Sequence, residues 1–335
     1  SPQNYREDWK CGSKCAASGG ITTIIDMPLS VPPVVNEEGF KIKYDVANRD
    51  SCVDFAFWGG LTPGCVEQLP ELDKLGCVAY KGFMSFANPD YPQITDGYLV
   101  KGMKIAKQFN GLIGVHAENA EIADFGSKEM ALLKGAPNHM HDEARPWWIE
   151  YEAMQRAILF AKVTGARLYI CHMTIEQGAE LIKKAKSEGI EVYAETCPHY
   201  LIFDKSVMDE KGAFAKCNPP IRSRENVEKF WNYVFDGTID TIGSDHGPYT
   251  DEEKCIVSLC KETKEPVFLT KNGEGDAVIM DMETFNRREK ILELRENLLK
   301  IEENRMRGQK GYSPEEVYDI LGKVIEEAAG EQKEI

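Results

Sequence analysis

Seven short apolar runs, rich in β-branched residues, recur along the first 250 or so residues, and segments of helical period separate most of them. They are ITTIIDMP (21–28), VDFAFWGG (53–60), CVAYKGF (77–83), GLIGVHAE (111–118), RLYICHMT (167–174), EVYAETCPHY (191–200) and DTIGSDHGP (240–248). Between them, GYLVKGMKIAKQFN (97–110), IEYEAMQRAILFAKVTG (149–165) and IEQGAELIKKAKSEG (175–189) repeat apolar residues at helical spacing. Strand then helix, repeated, predicts a parallel sheet with helices outside it. Seven strands suit an open doubly wound sheet poorly and are one short of a (β/α)8 barrel. The expectation is an α/β chain built as a (β/α)8 TIM barrel that lacks its first strand, which would precede Ser1.

The bulk numbers permit this. A chain of 335 residues, 42% hydrophobic and 28% charged, suits a globular protein with a sizeable core. A formal net charge of −15 argues against a general nucleic-acid or membrane-surface binder. No apolar run approaches the roughly 18 residues that span a bilayer, and no signal peptide is visible at Ser1. The ten cysteines are scattered, which predicts reduced thiols in a cytoplasmic protein. Cys11 and Cys15 are one helical turn apart with no second pair nearby, so no zinc-finger pattern is present.

Nearly every strand ends in polar or ionisable residues: Asp26, Lys81, His116 and Glu118, His172, Glu195 and His199, Asp245 and His246. Four of the six histidines lie there. In a (β/α)8 barrel the carboxyl ends of the strands form the active-site face, so this clustering predicts a site. His116, His172 and Asp245 are the residue types that hold zinc or a similar divalent ion. Lys81 is harder to place, because an unpaired ammonium in a core strand is costly. It either finds a carboxylate or, as a neutral amine, reacts with carbon dioxide to give an anionic carbamate able to bridge two metals. Spacing alone leaves both readings open. The NHMH stretch (138–141) has metal-binding residue types, but its Pro/Gly flanks predict a loop near the mouth.

The pattern changes near residue 251. PVFLT, a KNGEG turn and AVIMD predict a β-hairpin. A long charged helix at about 283–308 follows, then a helix opened by Ser313 at the N-cap and Pro314 at N1. The expected domains are 1–252, the barrel, and 253–335, a small α+β and helical segment.

GGITTIIDMP, KGFMSF, GVHAEN, ICHMT, EVYAETCPHYL, KCNPPIR and IGSDHGP, in this order, resemble the cyclic amidohydrolases, and more narrowly the allantoinase, hydantoinase and dihydropyrimidinase branch of the amidohydrolase superfamily. The resemblance covers about residues 1–250. It implies that Lys81 is the carboxylated lysine and that His116 and His172 hold the second metal. It makes Asp245 a ligand of the first metal and the general base, and places Asn218 against a ring substrate. The implied reaction is hydrolysis of a cyclic amide or ureide by a metal-activated water, with zinc as the expected metal, two ions per chain in the family. The related enzymes are commonly homo-oligomers.

Departures from the family are visible too. The His-x-His pair of the family's first strand is absent from these residues, which makes one ion, or none, an alternative occupancy. Where hydantoinases place a tyrosine five residues after the lysine, this chain has Phe86, which favours allantoin-like substrates. Residues 256–330, including PVFLTKNGEG, resemble a prevent-host-death family antitoxin. That resemblance implies a toxin partner, and a competing function as a DNA- and toxin-binding protein that carries the barrel as an inactive passenger.

Overall fold

A computed structural model describes residues 6–86, 91–133, 137–250, 254, 267–271 and 274–279. The chain divides into two compact units, Ser1–Lys254 and Cys255–Ile335.

In the first unit all seven expected strands form: β1 (Thr23–Asp26), β2 (Asp54–Gly60), β3 (Ala79–Phe83), β4 (Leu112–His116), β5 (Arg167–Ile170), β6 (Val192–Thr196) and β7 (Thr241–Ile242). Each pairs in parallel with the next, so the sheet order follows the chain order. Helix α1 (Trp9–Ser18) precedes β1, α2 (Glu37–Asp50) follows it, α3 (Leu69–Leu75) leads to β3 and α4 (Asp96–Lys107) to β4. Three helices lie between β4 and β5: α5 (Ala120–Leu132), α6 (His141–Ala144) and α7 (Trp147–Thr164). Helix α8 (Glu176–Ser187) joins β5 to β6, and α9 (Pro198–Ile202), α10 (Val207–Lys211) and α11 (Arg224–Phe235) precede β7. This is the strand–helix order of a (β/α)8 barrel short of one strand. Strands β1 and β7 are the two edges, and Ile25 and Ile242 on them are 54% and 52% exposed.

Local chemistry sets the boundaries. Asn36 caps α2 by accepting from the Gly39 amide, and Glu37 and Glu38 complement the positive end of the helix dipole. Ser223 caps α11 in the same way. Gly165, at φ 68°, ends α7 in a conformation that glycine adopts without strain. Two expected strands are shorter than their apolar runs. The 191–200 run stops at Thr196 because Pro198, lacking a donor, opens α9 at its first turn. Of the 240–248 run only Thr241 and Ile242 pair.

Alternation divides the sheet into two faces. Ile113, Val115, Leu168, Ile170, Val192 and Ala194 belong to the main apolar core, with Ala157 and Ala161 of α7 and Ala179 and Ile182 of α8. Burying each of the larger ones contributes on the order of 1.5–3 kcal/mol. The other face carries Trp58, Lys81, Gly114, His116, Tyr169 and Glu195. Gly114 is required there, since a Cβ would lie 2.4 Å from the Trp58 ring. Among the described residues no helix is long and apolar enough to cross a membrane.

The second unit contains the expected hairpin, β8 (Val267–Lys271) antiparallel to β9 (Glu274–Ile279), with an irregularity between Leu269 and Thr270. The two helices expected after residue 280 lie outside the described residues.

Candidate active site

The polar face converges on Lys81. Its register on β3 sets it beside Gly60 and Gly114, whose missing side chains leave room for Tyr91 and Trp58. It is 1% exposed. Its Nζ lies 3.5 Å from Nε2 of His172 and over the Phe83 ring, 4.9 Å from the centroid. Among the described residues no carboxylate lies within ion-pair distance of it, although its charge acts on Glu195.

His116 ends β4 and His172 follows β5, and their Nδ1 and Nε2 atoms approach to 3.2 Å. Burial lowers the pKa of both; for His172 it falls well below the ordinary value, with the Lys81 ammonium adding to the effect. Both rings are therefore biased toward the neutral form. Nε2 of His116 meets Oε2 of Glu118 at 2.6 Å, so the ring proton belongs there and the Nδ1 lone pair faces His172. Glu118 is fixed in turn by Arg145, whose Nε and Nη2 donate to its two oxygens at 3.0 and 2.6 Å. Burial opposes the charge on Glu118, yet the bonds from His116 and Arg145 prevail and hold its pKa down at about 2.

A layer behind this supports it. Arg222 donates to the Arg145 carbonyl at 2.7 Å, to Asp142 at 2.7 Å and to Glu150 at 2.9 Å. Glu150 also accepts from the Thr174 amide and hydroxyl. On the other side, Glu195 accepts from the His172 amide at 3.1 Å and from Tyr169 at 2.9 Å. Sequence reasoning noted Glu118 and Glu195 as strand-end acids without roles, and it missed Arg145, Glu150 and Arg222 altogether. For Glu118 the signal was present, because a residue two past His116 shares its face of the strand.

His172 and Asp245 have φ of 39° and 49°. Side-chain-bearing residues in this region cost about 1–3 kcal/mol each, and such strain collects at functional sites. Asp245 is exposed beyond β7, and its charge acts on His199, Glu195 and Cys171. Lys81 acts on the same Glu195 and Cys171. Nε2 of His199 and Nδ1 of His172 are buried without a hydrogen-bond partner. Lys81, His116 and His172 are thus in direct contact, and Asp245 shares their electrostatic neighbours.

The other expected residues have partners of their own. Asn218 meets His141, with Oδ1 3.0 Å from Nε2. His139 pairs with Asp209 at 2.6 Å, so NHMH sends its two imidazoles to different partners, and residues 138–144 are a helical turn and α6 rather than a loop. Phe86 is 70% exposed. A cleft of about 390 Å³ lined by Asp142, Trp147, Glu176 and Arg222, among others, does not include Lys81, His116 or His172.

Two buried imidazoles whose ring nitrogens approach to 3.2 Å can offer two lone pairs at one point. That donor set fits a borderline divalent cation. Glu118 then plays the outer-shell part common to metal-binding histidines. Glu118→Gln, which removes the fixed acceptor, is expected to weaken divalent-metal binding by about 10–100-fold. A chelator-competition titration reads this directly, and an unchanged affinity would remove Glu118 from that role.

No family model matches the chain. It is 39% identical over 261 residues to an allantoinase of Bacillus licheniformis, covering 75% of this chain and 57% of that protein. It is 36% identical over 258 residues to an allantoinase of Salmonella newport, with the same shares covered. Among solved structures, the L-hydantoinase (dihydropyrimidinase) of Arthrobacter aurescens superposes with a TM-score of 0.74 at 34% identity, over 76% of this chain and 57% of that one. The chain spans rather more than half the length of these relatives. The comparisons lend no support to the antitoxin resemblance of residues 256–330.

Proposed function

We propose that this chain, over three quarters of its length a homologue of the allantoinases and of the hydantoinase/dihydropyrimidinase enzymes, carries the metal-dependent hydrolysis of a cyclic amide or ureide. The observation that supports this most is the buried convergence of Lys81, His116 and His172.

His116 through Nδ1 and His172 through Nε2 would hold a divalent ion, zinc in this reading, with Lys81 and Asp245 completing the set. Bound there, the ion would supply Lewis acidity toward a ring carbonyl and bring the pKa of water near neutrality. Lys81 enters as a carbamate: its neutral amine forms an N–C bond to carbon dioxide and releases a proton. The resulting carbamate would turn an unpaired buried cation into an anion able to pair with the divalent ion, which offsets the cost of the charge. Asp245 takes a proton from water as the water oxygen adds to the ring carbonyl carbon, and returns it to the ring nitrogen as the C–N bond breaks. Glu118 and Arg145 keep His116 in the tautomer this requires.

The relatives' names point to allantoin, hydantoins and dihydropyrimidines as the substrates to try. Phe86 offers no hydroxyl to polarise a carbonyl, which ranks allantoin first. Zinc-loaded protein is expected to open at least one of allantoin, hydantoin and dihydrouracil, and to lose that activity on chelation and in His172→Ala. Folded, zinc-loaded protein that leaves all three rings intact would refute the reading.

A further inference from the structure

Helix α1 carries Cys11 and Cys15 one turn apart, on one face. Neither thiol takes part in the chemistry above. We propose that Glu7, Cys11 and Cys15 form a second cation site, one that takes a soft divalent ion such as Zn²⁺ or Cd²⁺.

The sequence alone offers no partners for the cysteine pair; the fold supplies them. Ligand atoms of Glu7, Cys11 and Cys15 all lie within 4.8 Å of one another. Glu7 precedes the helix cap Asp8, and its carboxylate folds back over Gly12. A Cβ at Gly12 would lie 3.0 Å from Glu7 Oε2, so the missing side chain is what admits the carboxylate to this face. His246, after β7, holds the same carboxylate, with Nε2 2.8 Å from Oε2. A positioned acid behind which stands an imidazole is the arrangement in which metal ligands are oriented.

Around a zinc ion with Zn–S of about 2.3 Å, ligand atoms stand roughly 3.8 Å apart. Both thiols are exposed and free, so a small rotamer change closes the remainder. Charge favours the same outcome: the neighbouring Cys15, and after it Glu7, raise the Cys11 pKa, because the groups repel one another as anions. A divalent cation relieves that repulsion and displaces one proton from each thiol. Thiolates select zinc or cadmium over magnesium or calcium. Three protein ligands leave a fourth position for water or for His246, which is 60% exposed on its side chain.

The test is a cobalt(II) titration of the full chain in reducing buffer, read by the thiolate-to-cobalt charge-transfer band in the near ultraviolet. Cys171 neighbours Lys81 and the chain has ten cysteines, so the serine variants assign the band to this pair. The wild type and Lys81→Ala are expected to develop it equally. Cys11→Ser/Cys15→Ser is expected to lose it, and Glu7→Gln to keep it with affinity lowered about 10-fold or more. Circular dichroism verifies the fold of each variant, and Cys15→Ser alone serves if the double variant does not fold. Absence of the band in wild type, or its persistence undiminished in either serine variant, would overturn the proposal.

Discussion

Lys81→Ala is expected to weaken divalent-metal binding at the strand ends by more than about 100-fold, or some 2.8 kcal/mol, and to abolish ring hydrolysis with it. A ligand's loss exceeds the 10–100-fold loss typical of an outer-shell partner. The variant also separates the two readings of this lysine. A structural ammonium 3.5 Å from His172 would repel a bound cation, so its removal would raise metal affinity or leave it unchanged. A bridging carbamate is anionic, so Lys81→Glu, which restores a carboxylate on a shorter stem, should recover part of the lost affinity where Lys81→Met does not. Equal affinities in the glutamate and methionine variants would contradict the carbamate. Chelator competition measures all of them on one scale.

Arg222→Met is expected to destabilise the first unit by about 3–5 kcal/mol. Its side chain is 4% exposed, beside a Glu150 side chain that is 2% exposed. Burial raises the Glu150 pKa, and Arg222 and Thr174 act against that rise. Removing the guanidinium leaves a buried acid with half of its partners, takes a donor from the Arg145 carbonyl and leaves Asp142 to Lys205. Arg222→Met/Glu150→Leu should recover much of the loss, since replacing both ends of a buried pair by apolar groups is often neutral. Urea denaturation measures each. A single-variant loss under about 1 kcal/mol would show that the layer behind His116 is not held by this pair. Because Arg222 anchors the backbone of Arg145, and Arg145 fixes Glu118, the same variant should also reduce metal affinity.

The strands were legible because each is a short apolar run bounded by turn-forming residues, and all seven appear in order. Their polar ends were legible for the same reason: Lys81, His116 and His172 interrupt patterns that would otherwise be wholly apolar. What joins them was not legible locally. Lys81 and His172 are 91 positions apart, and His116 and His172 are 56. Only the parallel strand order brings them together. Arg145 and Arg222 carry no periodic signal at all. Each sits on a connection, and its partner is 27 to 80 positions away. The shortness of β6 was readable in principle, since Pro198 cannot continue the ladder. The left-handed backbone at His172 and Asp245 was not readable, because nothing in either residue type demands it.

The most direct test of the strand-end cluster is its metal content, measured by elemental mass spectrometry on Cys11→Ser/Cys15→Ser protein purified without chelator, so that thiolate-bound metal does not contribute. At least one divalent ion per chain, lost when His116 and His172 are both replaced by alanine, is the result the account predicts. A folded protein with no metal above buffer, even after incubation with zinc and bicarbonate, would contradict it.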